Sequence, residues 1–143
     1  RAGLNGDRGF SPKDRTENIR RLAEMATHLA RNGHIAIVAA VSPASDDRAQ
    51  ARRIADDLFR EVYVATPAEV CESRDPKGHY AKARAGNLPS FTGIANDYQP
   101  PANAELTIDT STRSVADAAD EIERLLANTG VLFGELGDLA ANI

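Results

Sequence analysis

Ile35-Ala36-Ile37-Val38-Ala39-Ala40-Val41, closed by Ser42-Pro43, is an uninterrupted apolar run of strand length. Alternating strands keep one face wet; a run apolar at every position reads as a strand buried on both faces, as parallel strands are. Outward from it, Glu61-Val62-Tyr63-Val64-Ala65 and Glu105-Leu106-Thr107-Ile108-Asp109 read as two further strands. Helical patterns separate all three. Strands alternating with helices predict an α/β domain with a parallel sheet. Ligands of such sheets gather at the carboxyl ends of the strands, so Ser42 is placed to meet a substrate. It reads equally well as a turn residue ahead of Pro43. No neighbouring base marks it as a nucleophile.

The helices carry start signals. Ser11-Pro12-Lys13-Asp14 offers a capping serine, a proline suited to the first turn and an acid three beyond the cap. Ile19, Leu22, Ala23, Ala26, Leu29 and Ala30 follow at helical spacing as far as Gly33. Ser45-Asp46-Asp47 opens a second helix with acids in its first turn, which reads as capping rather than as a metal pair. Its apolar stripe is Ile54, Ala55 and Leu58, leaving Arg48, Arg52 and Arg53 as its wet face. Thr66-Pro67-Ala68-Glu69 repeats the capping pattern ahead of Val70 and Cys71. Val115, Ala119, Ile122, Leu125 and Leu126 mark the last helix.

Bulk composition narrows the function. With 143 residues, 42% of them apolar and 27% charged, one soluble domain is the expectation. A formal charge of −4 gives no general attraction to nucleic acid or to an anionic membrane. No apolar run is long enough to span a bilayer. One cysteine, Cys71, excludes an internal disulfide and a cysteine-rich zinc site, and fits a reducing, cytoplasmic setting. His28, His34 and His79 show no ligand spacing, so no metal site is expected in this sequence.

An anion must therefore find a local cluster. Arg74, Lys77, Lys82 and Arg84 lie within one short stretch, broken by Pro76 and Gly78, ended by Gly86 as a left-handed cap, and followed by Phe91. Cations beside a flat ring suit a phosphate carrying a base, although four cations alone also describe a solvated basic loop. A second cluster is Phe10, Arg15 and Asn18 at the start of the first long helix, where free N–H groups favour an anion. There Phe10 stapling the helix end and Arg15 pairing with an acid is the competing reading. The segment from Asn87 to Asn103, carrying Phe91 and Tyr98, is longer than an ordinary connection.

The string Asp75-Pro76-Lys77-Gly78-His79-Tyr80-Ala81-Lys82-Ala83-Arg84-Ala85-Gly86, followed by Phe91-Thr92-Gly93-Ile94, closely resembles the lid of adenylylsulfate kinases. The resemblance recurs in Gly3-Leu4-Asn5, Gly9-Phe10-Ser11, Asp14 to Arg21, Val41-Ser42-Pro43 and Thr66 to Gly78, and fades after about Ala127. It implies a P-loop-kinase-like three-layer α/β fold over residues 1–128, with a lid at about 74–98 and a tail at 129–143 of open role. It implies transfer of phosphate from ATP, with Mg²⁺, to the 3′-hydroxyl of adenosine 5′-phosphosulfate (APS).

Residue by residue, it implies an APS site of Arg1, Phe10, Arg15, Asn18, Val41, Ser42, Lys82 and Phe91, with Phe10 and Phe91 enclosing the base. It implies ATP contacts at Arg74, Lys77, Thr92 and Gly93, with Arg74 against the adenine. A homodimer, freestanding or joined to ATP sulfurylase subunits, follows from the same likeness. Two departures stand out: Arg8 replaces the usual leucine before Gly9-Phe10, and Ala95 replaces an acid. No Gly-x-x-x-x-Gly-Lys-Ser/Thr phosphate loop occurs in the sequence, and the reading expects it, with its strand and helix, upstream of Arg1. Without that unit the alternatives are a module that binds nucleotides or a partner without catalysis, or a kinase for another small hydroxyl substrate.

Overall fold

The computed structural model describes residues 3–88, 91 and 98–129. Arg1, Thr92, Gly93, Ala95, Asp97 and residues 130–143 therefore lie outside the described residues. A 3-10 turn at Gly3–Asn5 precedes α1 (Pro12–Arg31). Helix α2 (Ser45–Ala55), a 3-10 turn at Asp56–Leu58 and strand β1 (Val62–Val64) follow. Short helices α3 (Ala68–Arg74) and α4 (His79–Arg84) lead towards β2 (Leu106–Ile108) and α5 (Val115–Asn128). No helix among the described residues is long and apolar enough to cross a membrane.

Strands β1 and β2 pair in parallel, Val62 opposite Leu106 and Val64 opposite Ile108. Leu106 N donates to Glu61 O at 3.2 Å and Ala65 N to Ile108 O at 2.8 Å, carrying the ladder past both ends. Parallel pairing demands a long crossover, which α3, α4 and the segment after them supply. The chain is thus α/β with a parallel sheet, as read from the sequence.

The expected strand at Ile35–Val41 forms no ladder among the described residues. Its backbone belongs to no strand, and Ile37 and Val41 are 84% and 66% exposed. The apolar pattern reports the burial that a segment is suited to; a strand also needs a neighbour for its N–H and C=O groups, and neither β1 nor β2 serves as one.

Helices α1 and α2 hold the core. Ile19, Ala23 and Ala51 are buried together, with Leu22, Ile54 and Phe59 packed against them. Small alanines on both helices let the backbones approach closely. Thr27, 5% exposed, satisfies its hydroxyl by donating to Ala23 O at 2.7 Å, one turn back. Ile108 is buried at 3% beneath α5, whereas Val115 at the start of α5 is 89% exposed.

The caps test the local reading. Ser11 caps α1 as expected, accepting from Asp14 N at 3.1 Å. Thr66 does not cap α3: Pro67 holds that position without a side-chain bond, and the Thr66 hydroxyl instead lies 2.7 Å from Thr110 Oγ1. Ser45 is the first residue of α2 rather than its cap, and both its N and Oγ donate to Gln99 Oε1 at 2.8 Å. Ser114 and Asp117 form a reciprocal capping box on α5, a pattern present in the sequence but not singled out there.

Arg48 and Arg52 are not a wet face. The Arg48 side chain is 11% exposed and its Nε lies 2.8 Å from Glu61 Oε1, a close charge contact off the hydrogen-bond direction. Arg52 grips Glu105 at 2.6 and 2.9 Å and lies over the Phe59 ring at 4.7 Å. Glu105 in turn accepts from Glu61 N at 2.6 Å. Helix α2 is thereby fastened to the leading ends of both strands.

Two carboxylates, one on α1 and one in this fastening, register their arginine partners. Hydrogen bonds from Arg20 and then Arg21 hold Glu17 at about 2 instead of 4.5, and the Arg52 hydrogen bond holds Glu105 at about 2. A carboxyl with a depressed folded pKa stabilises above its unfolded value, and that contribution is lost as pH falls through the folded value. The thermal midpoint of the full-length protein should therefore drop progressively from pH 4.5 towards 2. Glu105→Gln should lower the midpoint at pH 7 and flatten its decline with acid, both read by circular dichroism; an unchanged acid slope would show that the Arg52 pair contributes nothing.

Candidate functional site

The first corner is built at the start of α1. Arg15 Nε donates to Phe10 O at 3.1 Å, and Phe10 is 63% exposed. Asn18 lies one turn further on. Gly9 matters sterically: a Cβ there would stand 3.0 Å from Asp14 Oδ2. Arg8, the departure from the family pattern, pairs with Asp7 at 2.8 Å and approaches Asp14 at 3.8 Å.

Behind this corner Arg21 donates to both Asp7 oxygens at 2.7 and 3.0 Å and to Leu4 O at 2.9 Å. Glu17 accepts from Arg20 and Arg21. In this structure Glu17 and Arg21 fasten the leading segment to α1, while Phe10 presents its ring outward. Asn5, 7% exposed, keeps an Oδ1 without a partner among the described residues.

The second wall is the turn after the apolar run. Ser42 O accepts from Arg48 Nη1 at 2.6 Å. Ser42 Oγ is shielded from solvent and has no hydrogen-bond partner among the described residues. A shielded hydroxyl without a partner costs roughly 1–3 kcal/mol, so it calls for an explanation. Val41 beside it is exposed.

The basic stretch separates into fixed and exposed cations. Arg84 is tied to Glu72, Nη2 to Oε2 at 2.7 Å. Arg74 donates from Nη1 to Thr110 Oγ1 and from Nη2 to Thr110 O, both at 2.8 Å. Lys77 and Lys82 are exposed and have no ion-pair partner among the described residues. Gly78 and Gly86 both have positive φ, 64° and 76°, so Gly86 ends α4 in the expected left-handed form. Phe91 packs edge-on against Tyr80 at 4.9 Å and His79 at 6.1 Å, which sets its ring against α4.

Arg74 forms one side of a groove of about 530 Å³, completed by Thr110, Arg113, Val115, Ala118 and Ile122. A guanidinium plane opposite small apolar side chains suits a flat heterocycle. The sequence reading found Arg74 but missed Thr110 and Arg113. Thr110 directly follows Asp109 at the carboxyl end of β2, and that position was the available signal. Of the other sequence-derived site residues, Arg1, Thr92 and Gly93 lie outside the described residues. Among those described, no group of three or more His, Cys, Asp or Glu is placed to hold a metal.

The family model for adenylylsulphate kinase matches residues 1–109. The chain is 50% identical over 123 residues to a probable adenylyl-sulfate kinase of Halalkalibacterium halodurans, covering 85% of this chain and 61% of that protein. It is 49% identical over 132 residues to the bifunctional enzyme CysN/CysC of Mycobacterium tuberculosis H37Rv, covering 90% of this chain and 21% of that protein. The chain therefore spans about three fifths of the first relative and one fifth of the second. The solved M. tuberculosis APS kinase CysC, in complex with AMPPNP and APS, superposes with a TM-score of 0.83 at 49% identity, over 87% of this chain and 73% of that one. A family match over most of the chain, with a shared P-loop-kinase fold and close identity to its curated members, establishes that this chain belongs to the adenylylsulphate kinase family.

Proposed function

We propose that the protein containing this chain transfers the γ-phosphate of ATP to the 3′-hydroxyl of APS, giving 3′-phosphoadenosine 5′-phosphosulfate. The observation that carries this is the solved relative: it is 49% identical and holds AMPPNP and APS together. This chain keeps two separate clusters suited to two nucleotides. The Arg74–Thr110 groove is the ATP base site, with Lys77, Thr92 and Gly93 as further ATP contacts. Phe10 and Phe91 supply rings for the APS base; Arg1, Arg15, Asn18 and Lys82 hold its phosphosulfate; Val41 and Ser42 form the wall. An APS oxygen is the partner that the shielded Ser42 hydroxyl lacks among the described residues.

Chemically, this chain positions and neutralises. Phosphoryl transfer through a loose transition state is accelerated by charge placement and in-line geometry rather than by covalent chemistry. The exposed Lys77 and Lys82 are the mobile charges; Arg74 and Arg15 are held by Thr110 and Phe10 and so are preset. Mg²⁺ customarily binds nucleotide phosphates with one or two carboxylates, and no catalytic step is assigned to it on these residues. This sequence carries no β- and γ-phosphate cradle, which phosphoryl transfer needs, so the reaction belongs to the protein that contains this chain. The bifunctional M. tuberculosis relative supports a form joined to a sulfurylase partner.

Substrate-selective variants test the assignment in the full-length protein. Arg15→Ala removes a hydrogen bond to a charged group, worth roughly 1.5–3 kcal/mol, and should raise KM for APS by about 10- to 150-fold. Arg15→Lys should recover part of that loss, since charge persists without the planar fork. Phe91→Ala removes one stacking face, worth roughly 1–3 kcal/mol, and should weaken APS by about 5- to 150-fold. Both should leave KM for ATP nearly unchanged. A defect confined to ATP, or shared equally by both substrates, would overturn the site assignment.

A further inference from the structure

Arg48 is held from several directions at once. Its Nη1 donates to Ser42 O at 2.6 Å and its Nη2 to Gln99 O. Its Nε lies 2.8 Å from Glu61 Oε1. Its guanidinium stands 5.2 Å above the Tyr98 ring, which itself stacks on Tyr63 of β1 at 5.7 Å and 9°. One planar group thus joins three stretches that are remote in sequence: the turn after the apolar run, the segment returning towards β2, and the start of β1.

The same turn is held twice more from residue 99. Gln99 N donates to Pro43 O at 2.9 Å, and Gln99 Oε1 accepts from Ser45 N and Ser45 Oγ at 2.8 Å. The α2 N-terminus has no cap of its own, so its first donor is satisfied by a side chain 54 residues away. Ser42 contributes its carbonyl to this arrangement, and its hydroxyl has no partner among the described residues. A turn held through its backbone, with the Ser42 hydroxyl left without a partner among the described residues, is positioned for a ligand rather than for packing.

We propose that Arg48 is a positioning residue for the acceptor site: with Gln99 it fixes the Ser42–Ser45 turn, and so sets where Val41 and Ser42 meet the acceptor. Arg48 itself touches no substrate. Only an arginine fits, because a lysine keeps the charge opposite Glu61 but cannot reach two carbonyls and an acid with one planar fork. The inference rests on the acceptor reading of Val41 and Ser42, and its test separates the two.

The test uses the full-length protein with Arg48→Lys, and with Gln99→Ala as a second variant that leaves Glu61 paired. KM for APS should rise by about tenfold in Arg48→Lys and about threefold in Gln99→Ala, with KM for ATP changed by less than about twofold, as expected for lost preorganisation of one site. Hydrogen exchange should quicken at the Ser45 and Gln99 amides and stay unchanged at Ala65 N, which belongs to the sheet. Equal losses for both substrates, or unaltered exchange at Ser45 and Gln99, would overturn the proposal. Should the wild-type protein phosphorylate another alcohol and not APS, the proposed function fails, and the positioning role is decided by the same split measured with that alcohol.

Discussion

The paired contacts Arg48–Glu61 and Arg52–Glu105 join α2 to both strands of the sheet. Both arginines project from α2, and both acids stand just before a strand. The pairs therefore fix how far α2 lies along β1 and β2, and the strand register follows from the same acids: Glu105 receives Glu61 N beside the first rung of the ladder. The Arg48–Glu61 pair is shielded, so removing one partner would strand a charge; the more exposed Arg52–Glu105 pair is screened by solvent and is worth about 1 kcal/mol or less. Here aromatic rings cover the guanidinium planes, Tyr98 over Arg48 and Phe59 over Arg52, so the charges stay partly solvated by π faces.

That scaffold explains where the two candidate clusters sit. The Arg74 groove forms where α3 ends and β2 gives way to α5, and Thr66 and Thr110 lock the two strand ends to each other through their hydroxyls. The guanidinium of Arg74 is held flat by Thr110 before any ligand arrives. At the other cluster, the Asp7–Arg21–Glu17 network sets the path of the leading segment over α1, and Phe10 and Arg15 project from its end. Both clusters thus combine a fixed cation with an exposed surface, the features on which the proposed two-nucleotide reading rests.

Local signals in the sequence translated well where the structure is itself local. Ser11 and Asp14, the spacing from Ile19 to Ala30, and the glycines at 78 and 86 each report a contact within a few residues, and each is present. The parallel pairing of the segments around Val62 and Leu106 was also legible, because β-rich runs separated by helices leave few other arrangements. Long-range partners were not. Gln99 closing α2, Thr110 claiming Thr66, and Gln99 receiving Arg48 depend on residues 44 to 54 positions away, which no window reveals. Arg48 and Arg52 looked like a solvated face because arginine usually is one. Ile35–Val41 misled in the opposite sense: its composition suits a strand buried on both sides, yet strand formation needs a neighbour's backbone, and no described residue supplies it.

The site was legible chiefly through family likeness; residue chemistry alone left Ser42, Phe10 and Arg15 open between substrate and structural roles. The most direct measurement is therefore of the transferred group itself. The full-length protein is given ATP and APS, and the products are followed by phosphorus NMR. The account predicts ADP and a new phosphomonoester coupled to the ribose H3′ of APS, formed in equal amounts, with adenosine 5′-monophosphate accepting far more slowly. ATP consumed without that phosphomonoester, or phosphate delivered preferentially to another hydroxyl, would contradict it.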